Sequence, residues 1–361
     1  MPPGAFRLFL ACLVVIHHSF PLRLGGWAVA MFFVLSGYWI ARMWNEKYSR
    51  LDMPYMTFVI SRWWRLAPLF LAVQTLGYCY ALSGPSGQND VVALPFGWWV
   101  TQPLVIGSTQ FGRLLPPSWS LDVEMQFYAL GPVLVAGLAT IAPKLKKNAC
   151  LGNSISSITA SAPSFHLEGF AIVVLTLGWS ILLIASRVAT EASRLDLHIW
   201  LFLAGVLVYA NQWSPSLRMQ RLSFFGIISL IAVAIATPPI RELVWRTGSV
   251  APSLSPKTVN LFLTILALVG LPFAAATVYR DSSRWDRWFG DLSYPLYLFH
   301  WIPRQWYYSQ VDWNASFWSN LLLLFVNFAT AGLGAVLLLF VIDQPCQRLR
   351  NRWLRSTSLE T

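Results

Sequence analysis

Residues Phe6–Phe20 read FRLFLACLVVIHHSF, an apolar run with one arginine at its start and His17–His18 near its far end. Eleven residues on a helix are close to three turns, which puts His18 about 20° round from Arg7 and roughly 16 Å further along. His17 points about 80° away from that line. An ionisable side chain inside a membrane helix usually faces a protein interior or a water-filled cavity, and it marks function by default. The run therefore reads as a membrane helix that carries chemistry on one face.

The pattern repeats along the chain. Of 361 residues, 56% are hydrophobic and 11% charged, with mean hydropathy +0.54, whereas a soluble domain is roughly 25% charged. Apolar runs long enough to span a bilayer lie near 8–22, 27–44, 66–83, 119–142, 169–186, 197–212, 222–240, 259–279, 291–309 and 317–342. The expected fold is all-α: a polytopic integral membrane protein of about ten transmembrane helices, with residues 1–361 forming one membrane-embedded domain. Nineteen tryptophans suit a chain that meets two membrane interfaces. Pro68, Pro132, Pro272, Pro295 and Pro303 fall inside spans and should kink them. The shorter stretch Leu94–Ile106 reads as re-entrant or interfacial.

The net charge of +11 does not indicate nucleic acid, because the basic residues sit in short loops beside apolar runs. With the N-terminus inside, 18 of 26 lysines and arginines fall on the cytoplasmic side, so both termini are expected there. Ala28-Val29-Ala30 mimics a signal-peptide cleavage site, but it lies within the second run, so retained helices are expected. The four cysteines show no ligand spacing, and no metal site is implied. Asn148–Ser164 reads as an ordinary polar loop.

Four constellations stand out. In the first, Arg7 with His18, a neutral buried imidazole suits a general base, but a structural histidine bonded to a neighbouring helix fits equally. In the second, Arg62-Trp-Trp-Arg65, arginines three apart share a helix face and can grip phosphates bidentately; topology and anionic lipid head groups are the competing explanation. The third, Ser118–Tyr128 (SWSLDVEMQFY), holds Asp122 and Glu124. Two residues apart on a helix point about 200° from each other, so only one of these acids can face a given cavity. The fourth, Asp291–Trp301 (DLSYPLYLFHW), brings Tyr297 and His300 to a span end, where interface anchoring explains the tyrosine equally well.

Taken in order, these pieces resemble the membrane-bound acyltransferase 3 family. FRLFLACLVVIHHSF resembles its opening helix, an arginine, ten residues and a histidine, with His18 as the match. MFFVLSGYWIA (Met31–Ala41) resembles its FFVLSGF element, and RWWRLAP its arginine pair before a proline. SWSLDVEMQFY resembles WSLxxExxFY with Glu124 as the glutamate, SYPLYLFHW resembles SYxLYLxHW, and IDQP (Ile342–Pro345) resembles the closing acidic-x-Pro. Ala30 departs from the pattern, since many members carry an acid there.

The resemblance implies ten membrane helices and transfer of an acyl group, usually acetyl from acetyl-CoA, to a carbohydrate hydroxyl. Acceptors in the family include lipopolysaccharide O-antigen, exopolysaccharide, peptidoglycan and periplasmic glucans. It implies a multi-pass protein of a bacterial inner membrane, working beside membrane lipids and polysaccharide-assembly machinery, without a fused soluble domain. The implied roles are His18, Arg7 and Glu124 in catalysis; Arg62, Arg65 and Ser36 in holding CoA; and Asp122, Trp119, Tyr297 and His300 around the acceptor. Another donor such as succinyl-CoA, or a small-molecule acceptor, fits the same scaffold. A non-enzymatic transporter of polysaccharide or lipid intermediates is the reading from another class; it predicts no CoA dependence and leaves the arginine-histidine spacing unexplained.

Overall fold

The computed structural model describes residues 1–83, 94–108, 110–111, 114–149, 167–185, 195–246, 254–308 and 316–359. Most of the loop 148–164, the edges of two expected spans at Ser186 and Ser309, and part of the stretch after Tyr308 lie outside these residues. Helices dominate: α1 (Pro3–Ser19), α2 (Gly25–Glu46), α3 (Pro54–Ser83), α4 (Phe96–Thr101), α5 (Ser118–Ala149), α6 (Leu167–Ala185), α7 (Leu195–Ala210), α8 (Leu217–Ala236), α9 (Pro256–Thr277), α10 (Arg284–Phe299), α11 (Trp301–Tyr308), α12 (Phe317–Leu338) and α13 (Gln344–Leu359). Among the described residues there is no strand, only a bridge between Leu22 and Trp245.

Four segments are long and apolar enough to cross a membrane by length and composition: Gly25–Arg50, Leu217–Ala236, Pro256–Thr277 and Phe317–Thr357. Pro3–Ser19, Phe170–Ile184 and Leu195–Ala210 are apolar but shorter. The remaining helices carry buried polar and charged residues, such as Arg62 on α3, Asp122 on α5 and Asp286 on α10. A helix that buries charged residues within the bundle loses mean apolarity without becoming a surface helix. Leu94–Ile106 forms only the short α4 and one 3-10 turn, with Phe96, Trp99 and Leu104 exposed.

Contacts fix the relative directions of several helices. Gly4 abuts Asp286, and the rings of His18 and His300 stack, so α1 and α10 run parallel at nearly equal register. Ser36 meets Glu124, and Gly131 packs under Ile40, so α2 and α5 are parallel. Small residues permit the closest approaches: a Cβ on Gly37 would run into the Phe202 carbonyl, and one on Gly205 into that of Val34.

The prolines act locally. Pro272 lies within α9, and the Ser223 hydroxyl of α8 donates to the Val269 carbonyl at 2.6 Å while accepting from Phe273 N–H at 3.3 Å. A neighbouring helix thereby rejoins the disturbed backbone. The run 291–309 is not one helix. Pro303 has no N–H for the Phe299 carbonyl, and the chain breaks at His300 between α10 and α11. After α12, Leu339–Asp343 winds as a π-helix in which Gln344 N–H reaches the Leu339 carbonyl. Such bulges are frequent at functional sites, and this one delivers Asp343 inward.

Candidate active site

A cavity of about 690 Å³ opens among α1, α2, α3, α5, α10 and the start of α13. Arg7, Ser36, Arg62, Arg65, Glu124 and Tyr297, all singled out in the sequence, line it. Arg7 lies 5.4 Å above the Trp39 ring, and its guanidinium has no hydrogen-bond partner among the described residues. The Glu124 carboxylate accepts from the Ser36 hydroxyl at 2.8 Å and from Tyr128 at 2.6 Å. Both bonds reach Oε1, which leaves Oε2 for a ligand. Because SLDVE is helical, Glu124 looks into the cavity while Asp122 looks away.

Arg65 is engaged. Its Nη1 donates to both carboxylate oxygens of Asp343, at 3.2 and 3.0 Å, and Asp343 is 3% exposed. Gln347 of α13 donates to the Arg65 carbonyl at 3.2 Å and to Asp343 at 3.3 Å. Arg62 is less satisfied: its Nη2 lies 3.5 Å from the Tyr48 hydroxyl, and its Nε is buried without a partner.

His18 is not in the cavity lining. Its ring stacks on His300 at 5.4 Å and meets Trp301 edge-on at 5.1 Å, and neither ring nitrogen takes a hydrogen bond among the described residues. Arg304 donates from Nε to the His18 carbonyl and stacks over Trp301 at 4.2 Å. Tyr297, a cavity wall residue, is one turn before His300 with its ring 6.4 Å away, so His18 lies about one helical turn, roughly 5 Å, beyond the cavity end. His17 faces elsewhere, packed on Gly25, where a Cβ would come within 2.7 Å of its ring.

Three of the residues expected near the acceptor lie outside the cavity lining. Asp122 accepts from Ser108 N–H at 3.0 Å, the Ser108 hydroxyl at 3.2 Å and Gln126 at 3.0 Å, so it ties the loop after α4 to α5. Trp119 packs against Phe33 and His198. Neither lines the cavity. His300 is fully buried, with Nδ1 3.3 Å from the Leu296 carbonyl and Nε2 without a partner. Sequence reasoning did not single out Asp291, Arg348 or Arg350 for the cavity, all of which line it, and it met Asp343 only as part of the closing IDQP element. The basic run RLRNR on an amphipathic α13 was the available signal.

A sequence model described as an acyltransferase domain, that of the acyltransferase 3 family, matches residues 4–343. The chain therefore belongs to the acyltransferase 3 family, a membrane acyltransferase by class. No curated protein and no solved structure gives a significant match.

Proposed function

We propose that this protein is a ten-span O-acyltransferase of a bacterial inner membrane, with both termini cytoplasmic. It moves acetyl from acetyl-CoA to a hydroxyl of an exported or cell-surface polysaccharide or its lipid-linked precursor. The observation that carries the reading is the division of α1. Its Arg7 end opens into a cation-rich cavity, and its His18 end lies one turn past that cavity among His300, Trp301 and Arg304. The parallel packing of α1 with α10, and of α2 with α5, agrees with alternating crossings.

In this mechanism the donor enters from the arginine side, its nucleotide phosphates held by guanidinium forks, and its pantetheine arm runs past Phe32 and Tyr297 toward His18. The acceptor hydroxyl, a poor nucleophile at neutral pH, gives its proton to the His18 imidazole as its oxygen attacks the thioester carbonyl. The C–O bond forms, the C–S bond breaks, and the imidazolium returns the proton to the CoA thiolate. Arg7 balances negative charge on the donor. Glu124, held by Ser36 and Tyr128, orients the group passing it.

The test is label transfer. Membranes from cells expressing the protein are given radiolabelled acetyl-CoA, and glycan is collected; labelled glycan above a vector control is expected. No labelled glycan, with good expression and the native glycan pool present, overturns the choice of donor or acceptor. Excess unlabelled succinyl-CoA that suppresses the signal would point to the other acyl donor.

A further inference from the structure

We propose that Arg350 of α13 forms, with Arg62 of α3, a subsite for a phosphate dianion, the 3′-phosphomonoester at the nucleotide end of the acyl-CoA donor; this rests on the acyl-CoA reading above. Arg350 lies beyond residues 4–343 that carry the family match.

Helix register brings the two arginines together. Gln347 bonds the Arg65 carbonyl at 3.2 Å, and Trp64 meets Trp353 at 5.9 Å between ring centroids. The two helices cross in opposite directions, so three residues back along α3 and three forward along α13 lead from Arg65 and Gln347 to Arg62 and Arg350. Both line the same cavity. Arg62 is 8% exposed, with Nε unpartnered. Among the described residues, Arg350 has Nε and Nη1 buried and unpartnered, and its Nη2 reaches only the neutral Asn351 side chain, at 3.3 Å.

Guanidinium groups that share one cavity and hold buried, unpartnered nitrogens are costly without an anion, because each loses hydration and each repels the other. Among the described residues, the cavity lining does not supply enough anions. It carries Arg7, Arg62, Arg65, Arg348 and Arg350 against Glu124, Asp291 and Asp343, a surplus of two positive charges. Asp343 is committed to Arg65. A phosphomonoester carries nearly two negative charges at neutral pH, and its oxygens match guanidinium forks. Position selects which phosphate. Arg62 lies one turn of α3, about 4.5 Å, further from the His18 end than Arg65, as the end of the donor most distant from the thioester requires.

The experiment uses the full chain in phosphatidylcholine nanodiscs, with CoA, dephospho-CoA and adenosine 3′,5′-bisphosphate as probes. Wild type should bind CoA at least tenfold more tightly than dephospho-CoA. Arg350→Gln should weaken CoA and the bisphosphate by about 10- to 100-fold, the size of lost charge-assisted hydrogen bonds, and dephospho-CoA by no more than about threefold. Equal weakening of CoA and dephospho-CoA, or no preference in wild type, overturns the subsite. Loss of the preference in favour of Arg350-dependent phosphatidylglycerol binding, read in discs containing that lipid, overturns the donor assignment and gives the site to a lipid phosphate. Should Arg350→Gln not fold, Arg350→Lys, which keeps the charge and loses the fork, is judged by the same comparison. Arg350-dependent bisphosphate binding in a protein that transfers no acyl group keeps the subsite and removes the acyltransfer reading. An active acetyltransferase that binds none of the phosphate probes removes the subsite alone.

Discussion

The two ends of α1 differ in everything except the helix that joins them. Around Arg7 the structure is wide and charged, with five arginines and three carboxylates lining a cavity of about 690 Å³. Around His18 it is tight and aromatic: the imidazole stacks on His300, meets Trp301 edge-on and lies beside His17, and among the described residues no carboxylate holds either of its ring nitrogens. The first environment suits recognition of a charged donor, since fixed cations in a partly dry cavity attract phosphate strongly. The second suits proton transfer, since a base without a permanent ionic partner is free to take a substrate proton. Eleven residues of one rigid helix set the distance between the two tasks.

Four single substitutions and one double change sharpen that contrast, and the largest effect concerns the frame that holds both ends. Gly37→Leu forces a side chain into the Phe202 backbone and should abolish accumulation of folded protein, read by size-exclusion chromatography in detergent. At the arginine end, Asp343→Asn leaves Arg65 without its anion. Breaking a buried pair costs about 3–5 kcal/mol, and because the Arg65 side chain is 23% exposed the lower end of that range is expected. The double change Arg65→Gln with Asp343→Asn should recover part of the loss in thermal unfolding. Full recovery of activity as well would show that Arg65 has no task beyond the pair.

Glu124→Gln keeps the shape but exchanges charge-assisted bonds from Ser36 and Tyr128 for neutral ones. The difference is about 1 kcal/mol, or roughly fivefold in kcat/KM. A loss confined to KM for the donor would move Glu124 to the binding end; a loss confined to kcat would move it to the histidine end.

The smallest effect lies at the entry to α1, where Asp286 accepts from Gly4 N–H at 3.1 Å, Ala5 N–H at 2.7 Å and the Ser282 hydroxyl at 2.6 Å. It caps one helix from another, in the segment before the apolar run of α10. Burial pushes its carboxyl up, but the Ser282 hydroxyl and the two backbone donors outweigh that and hold it below the usual 3.8. A carboxyl lowered on folding stabilises the protein above its unfolded value and loses that contribution as pH falls through the folded one. Asp286→Ala should therefore cost about 1 kcal/mol at neutral pH, and the gap to wild type should close below about pH 4. A gap that persists unchanged in acid would assign the loss to packing.

Much of this contrast was legible in the sequence, for reasons that can be named. Helical spacing placed Arg7 and His18 on one face, and the same geometry required Asp122 and Glu124 to part, which they do. It could not decide which acid faces the cavity, because that depends on Ser108, a loop residue brought against α5 only by tertiary folding. The partner of Arg65 was hidden for a similar reason. Asp343 lies 278 residues away, and a π-turn that period-3.6 reasoning does not anticipate carries it inward. Arg350 read as one more cation of the cytoplasmic side until the antiparallel register of α13 on α3 set it opposite Arg62. The break at His300 followed from Pro303, yet a continuous apolar run disguised it as a single span.

The most direct test of the central claim compares His18→Ala with His17→Ala in membranes supplied with radiolabelled acetyl-CoA, with protein level checked by blot. The two histidines are adjacent, but His17 packs against Gly25 while His18 faces His300 and Trp301. Loss of about 10²–10⁴-fold in label transfer for His18→Ala, the range for removing a general base, with most transfer retained by His17→Ala, is the expected result. Transfer by His18→Ala at the wild-type rate, with protein level matched, would make His18 structural and contradict the account.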